Sequence, residues 1–338
     1  MKPLASDWFV PQVPGKPMGR YAHIIMLRVT DSYSLFQTDG ELNTARVRAG
    51  VDDASLMTRL IVFKRKQTTP ERLVGRELLR RYGFLSADAA DGRATEGRDH
   101  LPICDYNVQF CTQCPDCITY GFAIGDSGSE KSKVITDTAY SLTAYDHSHQ
   151  AFTLNAPFED GTMARYGDVT SRFSEQDHVV PQVIFPAVLT VRDVTLNLFL
   201  YVLNNVLRTR RYGAQTTRTG RLHNRVVAIA LTDGEVFSNL LFTQRLYDAV
   251  AAAGAINPPD PVDPDAAFAA AQPLVPGMIR EDGVAVDQLL IGAELDALLG
   301  QMATLAADDA QMRALLEAAF ADSRAYHAAW IAKTAGKR

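Results

Sequence analysis

The sequence predicts an α+β sheet domain with long insertions, and three observations carry that prediction. A compact apolar run fills Tyr21–Val29, a Thr-Pro start opens a helical pattern at Thr69-Pro70, and Val226–Leu231 followed by Ser238–Ala253 supplies a second strand and helix. Strand, helix, strand and helix in alternation is the signature of a sheet covered by helices. With 338 residues, 47% of them hydrophobic and 22% charged, the chain is long and apolar enough for one substantial core and a smaller appendage.

The first strand, Tyr21–Val29, holds Ile24-Ile25-Met26-Leu27 without a polar break, the pattern of a central strand buried on both faces. It follows the breaker-rich Pro14-Gly15-Lys16-Pro17. Thr38-Asp39-Gly40 reads as a turn and Leu60–Phe63 as a second strand that runs into Lys64-Arg65-Lys66. A helix is expected next, with Thr69 as N-cap, Pro70 at N1 and Leu73, Leu78 and Leu79 on its apolar face up to Gly83. Ser86–Asp99 reads as a loop leading to an insertion that contains every cysteine. Order is expected again at Lys133–Leu142. His147–Leu154 alternates and turns near Glu159-Asp160-Gly161, as a protruding hairpin would, with His147 and His149 on one strand face as surface or interface residues.

Arg192–Leu207 reads as a helix ending in Arg208, Arg210 and Arg211. Beyond Ser238–Ala253, the six prolines between Asn257 and Pro276 read as a linker. Val286–Ala332 is rich in Ala and Leu, with Leu289, Leu290, Leu295, Leu298 and Leu299 at helical spacing, so two or three packed helices are expected. No repeat at solenoid periods stands out. Met1–Val10 has no apolar signal core, and the most apolar stretch, Val194–Leu207, is broken by Asn197, Asn204 and Asn205. Neither export nor membrane insertion is expected, which places the chain in the cytoplasm.

A net charge of −5 argues against a nucleic-acid partner until its distribution is counted. Residues 1–86 carry 14 Lys/Arg against 8 Asp/Glu, and residues 201–225 carry six Arg and no acid. Residues 254–325 invert the balance, with 12 Asp/Glu against 3 Lys/Arg, so an acidic C-terminal region masks two basic segments. The strongest polynucleotide-like patch is Arg208, Arg210, Arg211, Tyr212, Gln215, Arg218, Arg221 and Arg225 around Gly213. There guanidinium forks suit phosphates and Tyr212 could stack on a base. Lys64-Arg65-Lys66 with Arg46 and Arg48 forms a second patch. The bland reading of each is a solvated surface.

Cys104, Cys111, Cys114 and Cys117 fall within fourteen residues as C-x6-C-x2-C-x2-C. Four thiolates satisfy one tetrahedral Zn²⁺ and leave no open position, so structural zinc is the first expectation. An iron–sulfur cluster or unmetallated thiols remain open, as does His100 or His147 in place of one cysteine. Gly125-Asp126-Ser127-Gly128 imitates a serine-nucleophile motif and its surroundings a phosphate loop, but neither has the required partners or order. What remains is a small-residue loop followed by Lys131 and Lys133, able to grip a phosphate. The acids Asp31, Asp39, Glu41, Asp126 and Asp137 form no motif.

Several long phrases go beyond spacing. Phe36–Arg46, Phe63–Arg72, Cys114–Cys117 with Gly121–Val134, Asn155–Glu159, Asp177–Pro181 and Arg211–Gln215 together resemble the backbone subunit of type I-D CRISPR surveillance (Cascade) complexes, within the repeat-associated (RAMP) RNA-binding superfamily. The resemblance runs from Gly19 to about Val250. It implies a modified RNA-recognition-motif (ferredoxin-like) core over 1–256, with a four-cysteine zinc insertion at 99–125 and a thumb-like hairpin at about 145–165. A Pro-rich linker at 257–277 and a C-terminal helical module at 278–338 would follow. Copies would polymerise along the CRISPR RNA, alongside other Cascade subunits, and leave bases free to pair with target DNA in antiviral defence. By position it puts RNA contact on Arg46, Arg48, Lys64, Lys66, Lys131, Lys133, Arg210, Arg211 and Arg218, zinc on the four cysteines, and no catalytic residue. The rival readings are a metal-dependent single-stranded DNA nuclease in the same complex, using an acid such as Asp39, and a zinc-stabilised scaffold docking acidic neighbours.

Overall fold

β1 (Tyr21–Thr30) sits at the centre of a five-stranded antiparallel sheet. The computed structural model describes residues 3–38, 40–86, 101–123, 128–154, 158–159, 164–165, 168–169 and 174–332. After β1 come β2 (Thr44–Arg48) and β3 (Leu56–Val62), which pair with each other, then α1 (Lys64–Arg81) and α2 (Pro115–Tyr120). β4 (Val134–Thr136) and β5 (Ala139–Tyr140) follow, then β6 (His149–Leu154) paired with β7 (Ser174–Val179). β8 (Ile184–Arg192), α3 (Leu196–Arg208) and β9 (Leu222–Thr232) complete the central region. The chain ends in α4 (Asn239–Ala252), α5 (Pro264–Asp282), β10 (Val286–Leu290), α6 (Ala293–Ala307) and α7 (Asp309–Tyr326). The order across the main sheet is β10-β9-β1-β8-β4.

Both faces of this sheet are covered, which is why β1 reads as an unbroken apolar run. Ile24 and Met26 point into a core shared with α1, α3, α6 and α7, whereas Ile25 and Leu27 point into a second core built with α4 and α5. His23 ties three central strands from inside. Its Nε2–H reaches Gly234 O at 3.1 Å and Thr232 Oγ1 at 2.8 Å, while Nδ1 accepts from Thr190 Oγ1 at 2.7 Å.

Burial drops the pKa of His23 from 6.5 to about 4, against a smaller opposing pull from Gly234 O. The unfolded chain therefore binds the proton first as pH falls. Stability that is complete above pH 6.5 is lost progressively toward pH 4, by about 2 kcal/mol at pH 5. Urea melts at pH 7 and pH 5 check this: His23→Gln should flatten the difference, and an unchanged slope in that variant would assign the loss to other groups.

Several expectations are corrected by the packing. α1 begins at Lys64, not after Thr69, and carries Pro70 inside it, so the basic cluster lies on the first helical turn and not at a strand end. Its buried face is largely polar, with Gln67, Glu71, Arg72 and Arg76 beside Leu78 and Leu79, whereas Leu73 is exposed. The helix expected from Arg192 starts at Leu196, capped by Thr195, because 184–192 is a strand that hydrophobicity alone did not separate from it. Pro186 is compatible with that central strand. Val188 N–H donates to Asn239 Oδ1 at 2.7 Å and Val188 O accepts from Thr136 Oγ1, so the edge shared by 186 and 188 faces away from β1.

The expected Pro-rich linker is in large part α5. Asp263 caps it, Pro264 opens it, and Ala267, Ala271, Val275, Met278 and Ile279 form the stripe that covers the second sheet face. Pro273 is on the exposed side, where water can satisfy the carbonyl it leaves unpaired. The C-terminal region is not purely helical either: Leu289 and Leu290 belong to β10, which extends the main sheet, and α6 and α7 close the first core. β6 pairs with β7 from His149↔Val179 to Leu154↔Ser174, and the expected turn at 159–161 includes residues outside the described ones. His147 falls on a short helix, Tyr145–Ser148, so it shares no strand face with His149. Among the described residues no helix is long and apolar enough to cross a membrane.

Candidate nucleic-acid interface and metal centre

The N-terminal turn of α1 concentrates positive potential. A helix start exposes N–H groups and the positive end of the macrodipole, which acids or a capping side chain normally offset. Here Phe63 offers no side-chain cap, no acid lies in the first turn, and Lys64, Arg65 and Lys66 add three cations. Lys64 is half-buried, donates to Val134 O at 2.6 Å, and has its pKa lowered by burial and by Arg72. Lys66 Nζ donates to Gln37 O, and Arg65 is exposed. Arg65 and Lys66 line a cleft of about 730 Å³ together with Arg211, Gly213 and Ala214.

The loop carrying Arg211 is fixed by Gly213 and Tyr212. Gly213 has φ +90°, and a Cβ there would sit 2.5 Å from Leu35 O, so only glycine allows the bridge between Leu35 and Gly213. Tyr212 does not stack on a ligand as expected. It is buried, donates to Glu71 Oε1 at 3.0 Å and accepts from Asn224 Nδ2 at 2.8 Å, while Arg28 Nη1 pairs with Glu71 at 2.8 Å. Burial and the nearby Glu71 carboxylate raise the Tyr212 phenol, which keeps it a donor. This buried network links β1, α1, the arginine loop and β9.

The remaining basic residues separate into distinct places. Arg210, Arg211 and Arg218 are exposed on one loop and donate to Leu207 O, Thr219 O and Gln215 Oε1 respectively. Gln215 in turn reaches Gln176 on β7 at 2.9 Å. Arg46 and Arg48 point outward from β2, alternating with half-buried Ala45 and Val47. Lys133 is nearly buried, paired with Glu130 at 2.8 Å and set over the Tyr326 ring. It lines a separate cavity with exposed Lys131 and Lys16 and half-buried Arg192. Of the sequence-predicted contacts, the main cleft therefore unites Lys66 and Arg211. Sequence reasoning places Arg65 in the second basic patch but not among the individual contacts, and it gives Phe63 no binding role, because it does not recognise the helix start at 64; Lys66, Pro70, Leu73 and Glu77, at three- and four-residue spacing along one flank of α1, are the signal that marks them.

The four cysteines converge on one point, with all ligand atoms within 4.8 Å of one another. Sγ separations are 3.8 Å for Cys104–Cys114, 3.6 Å for Cys104–Cys117 and 4.0 Å for Cys111–Cys117. A tetrahedron with metal–sulfur bonds of about 2.3 Å has edges of about 3.8 Å, so these residues fit a tetrahedral cation. Backbone N–H groups of Cys111 and Cys117 point at Cys104 Sγ and Cys114 Sγ, both at 3.4 Å, which suits thiolate acceptors. His147 is not in this group, and His100 lies outside the described residues, as do Asp39 and Asp126. Asp31 is committed to His223 at 2.6 Å and Arg221 at 3.4 Å. Among the described residues no second group of three or more His, Cys, Asp or Glu is arranged to hold a metal.

The cysteine insertion is fastened to α1 by charge. Asp116, between two of the cysteines, accepts from Arg72 Nε at 3.0 Å, Arg72 Nη2 at 2.8 Å and Arg76 Nη1 at 2.6 Å, all buried. α1 also approaches α3 closely at Gly75, where a Cβ would lie 2.3 Å from the Tyr201 hydroxyl.

The family model described as Csc2 Crispr matches residues 8–316. The chain belongs to the Csc2 CRISPR family. No curated protein matches the chain. Among solved structures, Csc2 of Thermofilum pendens is 16% identical with a TM-score of 0.48, over 75% of this chain and 82% of that one. A chain of a CRISPR RNA-guided surveillance complex is 12% identical with a TM-score of 0.37, over 64% and 70%. A chain of a Type IV-B CRISPR complex is 12% identical with a TM-score of 0.39, over 62% and 90%.

Proposed function

We propose that this Csc2-family chain is the repeated backbone subunit of a type I-D surveillance complex, coating the CRISPR RNA in contact with further copies of itself and other subunits. The observation that carries this is the uncapped, acid-free start of α1, whose Arg65 and Lys66 line a cleft together with Arg211. Such a site binds phosphate without reading sequence, so specificity belongs to the guide as it pairs with target DNA. The chain order β1, α1, β4, β8, α3, β9 with the spatial order β9-β1-β8-β4 supports an RNA-recognition-motif (ferredoxin-like) core. The paired strands β6 and β7 are proposed as the thumb. Exposed Arg46, Arg48, Lys131, Arg210 and Arg218 would extend the basic path, with Lys64 and Lys133 acting from its edge through their partners.

The four cysteines would hold zinc, which would supply cross-linking of the insertion and no reaction step.

Neutralising Arg65, Lys66 and Arg211 together should weaken single-stranded RNA binding by about 100-fold and lower the log–log salt slope by about 2, since each lost phosphate contact removes about 0.7 from it. Fluorescence anisotropy over a salt series reads both. Unchanged affinity in the triple variant would remove this cleft from the RNA path.

A further inference from the structure

The cleft is lined mainly by two stretches far apart in the chain, residues 63–77 along α1 and residues 211–216 of the arginine loop. In each stretch one buried side chain turns into the core. Glu71 lies between the lining residues Pro70 and Leu73, and Tyr212 lies between Arg211 and Gly213. There the two meet. The Tyr212 hydroxyl donates to Glu71 Oε1 at 3.0 Å, and Arg28 Nη1 holds both, at 2.8 Å from Glu71 and 3.1 Å from the hydroxyl. Buried hydrogen bonds of this kind leave little play between the groups they join. The backbone ties of the loop run elsewhere: Tyr212 N–H donates to Gly220 O, Leu222 N–H to Arg210 O and Ala214 N–H to Leu35 O. They shape the loop without fastening it to α1. Arg211 is exposed, and its guanidinium rests on Thr219 O of the same loop, so its place at the cleft follows the backbone beside Tyr212.

We infer that Tyr212 is a positioning residue for strand binding: its hydroxyl on Glu71 is a strut that fixes where Arg211 stands relative to α1. One phosphate contact then depends on a group that never touches the strand. The inference rests on the RNA-coating function proposed above and deepens it. Phenylalanine at 212 fills the same space and leaves Glu71 on Arg28, so it cuts the strut while the fold stands. Asn224 supplies the contrast. Its side chain donates to the Tyr212 hydroxyl at 2.8 Å and accepts from Arg28 Nη1 at 2.9 Å. Asn224→Ala therefore thins the same buried network yet leaves the hydroxyl on Glu71.

The test follows a fluorescent oligouridine binding to the full chain over a salt series. Tyr212→Phe should weaken binding about fivefold and lower the log–log salt slope by about 0.7, the loss of one phosphate contact, although no charge has been removed. Arg211→Ala should do the same. The double variant should stay within about twofold of Arg211→Ala, whereas independent effects would multiply to about 25-fold. Asn224→Ala should lower the melting temperature and keep the slope. Hydrogen exchange over 210–216 gives a reading that needs no RNA: it should quicken in Tyr212→Phe more than in Asn224→Ala. A melting temperature above that of the assay confirms that each variant is folded. An unlowered slope in Tyr212→Phe, multiplied losses in the double variant, or equal slopes and exchange in Tyr212→Phe and Asn224→Ala would each overturn the strut while RNA coating stands. If the wild type does not bind the strand, the coating function falls and this inference with it.

Discussion

Asp116→Asn should cost about 3–5 kcal/mol of folding stability, the range for removing one member of a buried ion pair. Asp116 and Arg76 are both fully buried and Arg72 nearly so. Burial opposes the charge on Arg76, but Asp116 and the Cys104 sulfur outweigh it and raise its pKa. Among the described residues Arg76 Nε and Nη2 have no hydrogen-bond partner, so this guanidinium depends on Asp116 and on the neighbouring sulfurs. Asparagine has nearly the same shape and keeps one acceptor, yet it removes the charge that holds two guanidinium groups beneath the insertion. Urea denaturation of Asp116→Asn against the wild type measures the loss. A change below about 1 kcal/mol would mean that the cysteine cluster alone holds both arginines.

Chelation should have the larger effect. Structural zinc sites in small peptides bind with about 10–16 kcal/mol at neutral pH, as much as the whole stability of an ordinary domain, about 5–15 kcal/mol. Cys104, Cys114, Cys117 and Ile118 belong to the same core as α1, α3 and α7, so loosening the insertion opens that core and does not merely free a loop. Four thiolates around Zn²⁺ carry a net charge of about −2, and Arg76 beside Cys104 and Cys114 offsets part of it. Elemental analysis should find one zinc per chain, and Cys114→Ser or a strong chelator should lower the thermal midpoint sharply and expose the region around 101–123 to protease. Zinc-free protein with an unaltered midpoint would rule out a metal as the cross-link. An iron signal with visible absorbance would replace zinc with an iron–sulfur cluster.

The two variants separate the two halves of the anchor. Asp116→Asn leaves all four sulfurs in place, so it should retain metal while losing stability. Cys114→Ser removes a ligand while leaving the Arg72–Asp116 pair intact, so it should lose metal first.

Elements set by local pattern were legible in the residues. β1 begins at the apolar run found at Tyr21, β9 contains the run at Val226, and α4 starts from the Ser238 cap, because continuous burial and a cap hydroxyl act over a few neighbours. The four cysteines were legible for the same reason: a cluster of fourteen residues needs no distant partner to suggest a metal.

Elements whose role depends on what packs against them were misread. α5 looked like a linker since its prolines dominate the local signal, yet a sheet face lying bare beside it makes the Ala267–Ile279 stripe worth burying. α1 looked shorter and more apolar than it is, because Glu71, Arg72 and Arg76 are buried only where Arg28, Tyr212 and Asp116 arrive to pair with them.

By itself, the order of residues determined an α+β chain with a thiolate cluster and two basic segments, since composition, periodicity and capping are properties of short stretches. Tertiary structure alone decided which cations share a cleft, that Tyr212 is a core residue and Phe63 a surface one, and that Lys133 is held by Glu130. Those outcomes depend on distances between groups far apart in the chain, and such distances are fixed only when the sheet and its two covering layers close.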